Sequence, residues 1–384
     1  MWRHIASNAL TFFILSLFLV AGLIGWGTKQ FDDPGPLSEA ICLQVASGSN
    51  MRRVSDELAE QGAITSPSIF RIGADYAEKS SQLKAGSFLI PQEATMSEIL
   101  DAVTRGGAST CGTEIVYRIG VTRTQVQVRE LDPATNRFTE VASFEPSVDA
   151  EPEAYLAVRE ESDTRYRVAM AEGVTSWQVK TALNGLSVLT GPVDATPDEG
   201  SLAPDSYEFT PGENVSTILA EMAERQDRVL AQAWANRAEG LPIDTIEEAL
   251  VLASIVEKET GLADERPQVA SVFINRLNQG MKLQTDPTVI YGVTRGEGVL
   301  GRGLRRSELR RETPWNTYVI PALPPTPIAN PGRAAIEAAL NPDASPYIFF
   351  VADGTGGHAF AVTLADHNRN VAAWRAIEAS RADN

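Results

Sequence analysis

Glu257, Lys258 and Glu259 close a long apolar run, and their types and spacing suit proton chemistry. Glu259 lies one turn after Ile255 and Val256 and two turns after Leu252. Residues three, four and seven apart share a helix face, so Glu259 projects from the apolar side. Glu257 follows Ala253 and Ser254, a smaller and more polar neighbourhood. A carboxylic acid held against apolar walls loses hydration of its charged form, keeps its proton nearer neutral pH and can serve as a general acid. The same three residues also read as the solvated end of a helix, a common arrangement.

Three elements must position such an acid. The run ALVLASIVEKETG, from Ala249 to Gly261, is an apolar helix. A second helix starts at Pro267, where the missing N–H does no harm, carries Val269, Val272, Phe273 and Leu277 as its stripe, and stops before Gly280. Glu265 and Arg266 precede it and are placed to pair with each other; Glu265 and Asp286 are nearby candidates for a second carboxylate. The third element is the loop Gln284-Thr285-Asp286-Pro287-Thr288, continuing to Tyr291, which offers hydrogen-bond donors and acceptors at close spacing. Alone, it also reads as an ordinary turn.

The run ASIVEKETG, then ER, then VASVFINRLNQGMKLQTDPTVIYG resembles the signature of the MltG/YceG family, membrane-anchored endolytic murein transglycosylases that cut the glycan strands of peptidoglycan. The resemblance places the catalytic acid at the glutamate before the threonine of EKET, here Glu259, in agreement with the helix-face argument. Glycosidic cleavage needs an acid to protonate the leaving oxygen, and ordinary hydrolases add a second carboxylate. The family implies a variant with one: the glutamate donates its proton, then takes one from the C6 hydroxyl of N-acetylmuramic acid, which closes a 1,6-anhydro ring. Proximity replaces strong activation of the nucleophile. Gln284, Thr285, Asp286, Thr288 and Tyr291 would line the site. Pro314-Trp315-Asn316-Thr317-Tyr318 resembles the family's YNTY element with Trp315 for Tyr, adding Asn316 and Tyr318 as substrate contacts. Glu199 to Tyr207 resembles its EGxLxPDTY loop, with Ala203 where many members have an aromatic residue and Ser206 for Thr; Asp205 is a supporting residue or only a turn former. His358, beside a glycine turn, suits the polar wall of a cleft.

Composition limits the alternatives. The 384 residues are 43% hydrophobic, enough for two or three domains with their own cores. A formal net charge of -17 argues against nucleic acid, whose phosphates would be repelled, but leaves glycans open. Three histidines and two cysteines offer no familiar metal-ligand spacing, no glycine-rich phosphate loop occurs, and no cofactor is expected.

In chain order, residues 1–8 read as a cytoplasmic N-terminus and 9–28 as a transmembrane anchor, since Ala9 to Gly27 is apolar and uncharged. Arg3 ahead of it, against Asp32 and Asp33 behind, favours a single pass in the inner membrane with the rest in the periplasm. A cleaved signal is the other reading. Residues 29–40 form a linker. Residues 41–112 alternate strand, helix, helix, strand and resemble the family's small LysM-like module; LysM-type modules hold N-acetylglucosamine polymers, and a plain spacer is the alternative. Cys42 and Cys111 bracket it, either as a disulfide in an oxidising compartment or as two buried thiols. Residues 113–164, with a hairpin turning at Asp132 to Asn136, form an insertion without an assigned role. Residues 165–384 form the catalytic domain, with a long amphipathic helix from Val215 to Ala238 beside the catalytic one. The basic run Arg302 to Arg311 faces either solvent or the carboxylates of the muropeptide.

The fold expected is α+β: an anchor helix, a small LysM-like βααβ module and a mixed α/β catalytic domain. The function expected is an endolytic lytic transglycosylase acting on MurNAc–GlcNAc β-1,4 bonds of nascent strands, ending glycan elongation with peptidoglycan synthases as partners. Two other readings stand beside it, a two-carboxylate muramidase using Glu265 or Asp286 and a non-catalytic glycan-binding scaffold for wall synthases. A metal-dependent hydrolase through His358, His367 and Asp366 is more remote.

Overall fold

Helix α1 (Trp2–Asp32) opens the chain, and its segment Leu10–Asp32 is apolar and uncharged as far as Gly27, its apolar part burying nothing against the protein. The segment is about 34 Å long at 1.5 Å per residue. That is long enough to cross a bilayer core. The computed structural model describes residues 2–105, 110–161 and 163–382, and the side chains of Arg3 and His4 lie outside what is described. The chain divides into two compact units. The first comprises Met1–Val116, Gln127–Phe144 and Asp149–Arg165, the second Tyr117–Val126, Glu145–Val148 and Tyr166–Asn384.

In the first unit, β1 (Ile41–Val45), α2 (Met51–Glu60), α3 (Pro67–Tyr76) and β2 (Gly86–Ile90) follow in order, closed by α4 (Met96–Thr104). The two strands pair antiparallel, Ile41 opposite Ile90 and Val45 opposite Gly86. Each helix starts on a side-chain cap: Asn50 accepts from the Arg53 N–H, Ser66 from Ile69, and Thr95 with Glu98 forms a reciprocal box. Leu43, Val54, Leu58, Phe70, Ile90 and Ile99 are buried together beneath them. A disulfide joins Cys42 and Cys111, with Cα atoms 5.7 Å apart. The expected linker at 29–40 is largely absent. Helix α1 continues through Phe31, whose ring lies where a Cβ of Gly73 would be, Gly35 donates its N–H to the Glu93 carbonyl, and Leu37 is buried.

β3 (Thr113–Ile119), β4 (Thr124–Asp132) and β5 (Arg137–Phe144) follow. The Asp132 carboxylate shapes the expected hairpin turn by accepting from the Ala134 N–H at 2.9 Å and the Thr135 hydroxyl at 2.8 Å. Helix α5 (Glu153–Val158) sets Tyr155 edge-on against Phe144. In the second unit β6 (Arg165–Met170) pairs antiparallel with β7 (Ser206–Phe209), Val168 opposite Tyr207.

The second unit's helices are α6 (Ser176–Asn184), α7 (Val215–Ala235), α8 (Ile246–Glu259), α9 (Arg266–Asn278), α10 (Asp286–Thr294), α11 (Arg306–Arg310) and α12 (Arg333–Leu340). A hairpin of β8 (Phe349–Ala352) and β9 (His358–Ala361) and a last helix, α13 (Leu364–Ala382), complete it. Helix α8 is its axis. Ala249 and every residue from Val251 to Val256 are buried, so α8 is enclosed on all sides, as an all-round apolar helix must be. Val229 and Ala233 of α7, Val269 and Phe273 of α9, and Ile336 and Leu340 of α12 share its core.

Candidate active site

The Thr245 and Glu248 capping box starts α8, and the three ionisable residues finish it at the end where the helix dipole disfavours carboxylates. None of the three is a solvated surface group. The Gly332 N–H donates to Glu257 at 3.0 Å, and the Lys258 ammonium donates to the Gly173 carbonyl at 3.1 Å. The Thr285 hydroxyl donates to Glu259. Burial pushes both glutamates above the ordinary carboxylate range and Lys258 below the ordinary amine range. For Glu259 the opposing influences are the Thr285 hydrogen bond and the nearby His358 and Arg276, while Asp286 pushes the same way as burial. The carboxyl is closely packed, yet the residue keeps some accessible surface where it opens into a cleft.

That cleft holds about 260 Å³ and is walled by Glu259, Thr260, Gly261, His358, Trp374 and Arg381. Glu265 fixes His358 in it twice, accepting the backbone N–H at 2.9 Å and meeting the ring Nδ1 at 2.8 Å. The expected pairing of Glu265 with Arg266 is therefore not made: Arg266 turns to Glu172 at 3.4 Å. His367 stacks on Phe349, and Asp366 engages Arg369 and Thr363, so neither shares a partner with His358.

The Gln-Thr-Asp-Pro-Thr loop meets Glu259 through Thr285 and is held from below by Thr317. Gln284, in the left-handed region at φ 52°, donates its N–H to the Thr317 carbonyl at 3.2 Å, and the Thr285 N–H reaches the Thr317 hydroxyl at 3.0 Å. Gln284 and Asp286 are exposed, and the Tyr318 hydroxyl donates to Asp286 at 2.7 Å.

Two expected substrate contacts are corrected. Thr288 is fully buried, bonding the Thr285 carbonyl and the Thr317 hydroxyl. Asn316 is fully buried too, its amide donating to the carbonyls of Glu308, Leu309 and Arg311 and its oxygen accepting from the Tyr318 N–H. Both brace the loops instead of facing the cleft. Tyr291 faces elsewhere: its hydroxyl donates to Glu199 at 3.2 Å, and its ring lines a second cavity of about 470 Å³. Asp205 is exposed and paired with Arg225, so it serves its own turn. In the basic run, Arg302 is bound by both oxygens of Glu308, and Arg305, Arg306, Arg310 and Arg311 are exposed.

Sequence reasoning missed Thr317, Arg276 and Glu199. Arg276 is 8% exposed and ties the chain end of β8 to the loop through the Ile348 and Leu283 carbonyls. Burial raises the pKa of Glu199. Thr317 and Glu199 stand inside recognised motifs, but helix periodicity says nothing about residues in loops.

The model of the YceG-like family matches residues 43–373. Proteins named endolytic murein transglycosylase are similar to the chain. That of Streptococcus pneumoniae strain D39 is 27% identical over 384 residues, covering 96% of this chain and 65% of that protein. That of Bacillus subtilis strain 168 is 27% identical over 330 residues, covering 86% and 83%. The chain thus spans just under two thirds, 65%, of the length of the streptococcal relative. The crystal structure of a YceG-like protein from Listeria monocytogenes has 23% identity and a TM-score of 0.45, covering 86% of this chain and 99% of that one. A match running from the first strand into the last helix, across Glu259 and both of its supporting loops, means that this chain belongs to the YceG-like family.

Proposed function

We propose that the protein is a membrane-anchored endolytic lytic transglycosylase that cleaves MurNAc–GlcNAc β-1,4 bonds of peptidoglycan, leaves 1,6-anhydro ends and so terminates nascent glycan strands. The observation that carries this reading is Glu259, a carboxyl kept toward its protonated form by burial, held by one hydroxyl donor and opening into a cleft. The names of the similar proteins support the same reaction class.

Protonated Glu259 gives its proton to the leaving glycosidic oxygen as positive charge grows on the muramic ring. The carboxylate thus formed takes the proton of the C6 hydroxyl, and that oxygen closes on the anomeric carbon. Both candidate second carboxylates are already engaged, Glu265 by His358 and Asp286 by Tyr318, which favours the single-acid route. Thr285 orients the acid, and Gln284, Asp286, Tyr318 and His358 are the contacts assigned to the substrate.

Helix α1 anchors the chain in the inner membrane with both units in the periplasm. The β1–α2–α3–β2 arrangement serves as a LysM-like glycan holder, and peptidoglycan synthases are the partners. Mass spectrometry of products from purified strands, using the full chain in detergent with Glu259→Gln alongside, tests the reaction. Anhydro-muramic ends from the wild type and none from the variant are expected. Reducing ends would replace the reading with a muramidase, and cleavage by neither protein would replace it with a scaffold.

A further inference from the structure

Lys258 leaves α8 about 100° around the helix from Glu259 and therefore lines a different space. The second cavity, about 470 Å³, is bounded by Lys258 and by the Pro287, Ile290 and Tyr291 face of α10, with Leu300 and Ile328 closing it. Its size lies within the roughly 300–1,000 Å³ of small-ligand sites. An ammonium has three donors. That of Lys258 makes one hydrogen bond, to the Gly173 carbonyl, and among the described residues no carboxylate lies within ion-pair distance of it, although Glu257 and Glu199 both act on it electrostatically. A half-buried lysine without a direct ion-pair partner is costly to hold charged, and burial accordingly lowers its pKa against the opposing pull of Glu257 and Glu199. Burial pushes both of these carboxyls toward their neutral forms, Glu257 where the Gly332 N–H donates to it and Glu199 where Tyr291 does. Arg302 at the rim is already bound by Glu308. The cavity therefore combines an uncommitted cation with small aliphatic walls.

We propose that this cavity is a binding site for the acidic stem peptide of the substrate, with Lys258 receiving a peptide carboxylate and Ile290, Leu300 and Ile328 receiving its small aliphatic side chains. The assignment rests on the reaction proposed above. It makes the enzyme a reader of peptide-bearing strands, through a cavity whose lining includes neither Asp286 nor Glu259.

The test compares strands that carry stem peptides with strands stripped of them by an amidase. For the full chain in detergent, Lys258→Gln and the cavity-filling Leu300→Trp are expected to raise KM on stem-bearing strands about tenfold, with kcat kept and stripped strands unaffected. Lys258→Arg, which keeps the charge, is expected to recover most of the difference. Equal effects on both substrates, or no effect in either variant, would overturn the proposal. Ligand-observed NMR with the Glu259→Gln protein gives a reading that needs no turnover. N-acetylmuramyl-L-alanyl-D-glutamic acid should bind about tenfold more tightly than its diamide, and Lys258→Gln should abolish the difference. Equal binding of acid and diamide overturns the site even if cleavage is observed. If the wild type cleaves neither strand, the reaction falls while the acid–diamide difference still decides this site.

Discussion

Thr285 donates its hydroxyl to Glu259, so the loop that follows α9 reaches back to the last residue of α8. The next residue, Asp286, acts on the same carboxyl with the opposite sign: the hydrogen bond favours the ionised form and the neighbouring charge disfavours it. A general acid works protonated, so kcat/KM should fall as pH rises through the raised pKa of Glu259. Thr285→Val removes the bond and should move that alkaline limb to higher pH. Asp286→Asn removes the charge and should move it to lower pH. Both profiles can be recorded on soluble glycan strands, and shifts in the same direction would contradict the assignment.

Glu259→Gln should separate activity from stability. Removal of the acid is expected to reduce turnover by about 10²–10⁴-fold. The folded-state pKa of Glu259 lies above its unfolded value. As pH rises through the unfolded value, the unfolded chain releases a proton that the native state keeps, and stability declines until the folded pKa is passed. Glutamine has no such proton and still accepts from Thr285. The variant should therefore melt higher than the wild type above neutral pH, and the difference should vanish in acid once both states are protonated. Melting curves across that range decide it.

Asn316 and Tyr318 sit two residues apart and should behave differently. Asn316→Ala leaves the carbonyls of Glu308, Leu309 and Arg311 without their donor in a fully buried place, a loss of roughly 3 kcal/mol. Chemical denaturation should show it. Tyr318→Phe removes only a hydroxyl from exposed Asp286 and should change stability by less than about 1 kcal/mol while altering the kinetics.

The axis of this fold was legible because periodicity works where a helix is enclosed. Val251 to Val256 are apolar or small on every side, and the face of Glu259 follows from them. What holds Glu257 and Lys258 was not legible, since their partners Gly332 and Gly173 lie 75 and 85 residues away. Motif membership likewise does not say which way a side chain points. Thr288 and Asn316 are polar residues of recognised elements, yet they brace backbone, while Glu265, expected beside Arg266, belongs to His358. The apolar stretch of α1 ended at Gly27 by composition, but helix persists to Asp32 because nothing before Pro34 breaks it. Helix α13 escaped notice because most of its residues are exposed and its apolar stripe is thin.

Cys42 and Cys111 close a loop of 69 residues around the β1–α2–α3–β2 unit. Cross-linking a loop of this length restricts the unfolded chain, and its loss typically costs about 2–4 kcal/mol. Reduction, or the double change Cys42→Ser with Cys111→Ser, should lower the unfolding free energy of the first unit by that amount and its midpoint with it. Glu259 and Thr285 belong to the second unit, so cleavage of short soluble strands should survive reduction at temperatures below the new midpoint. Denaturation curves with and without dithiothreitol, read beside activity under the same conditions, check both halves. Loss of cleavage without unfolding would mean that the disulfide supports the active site itself.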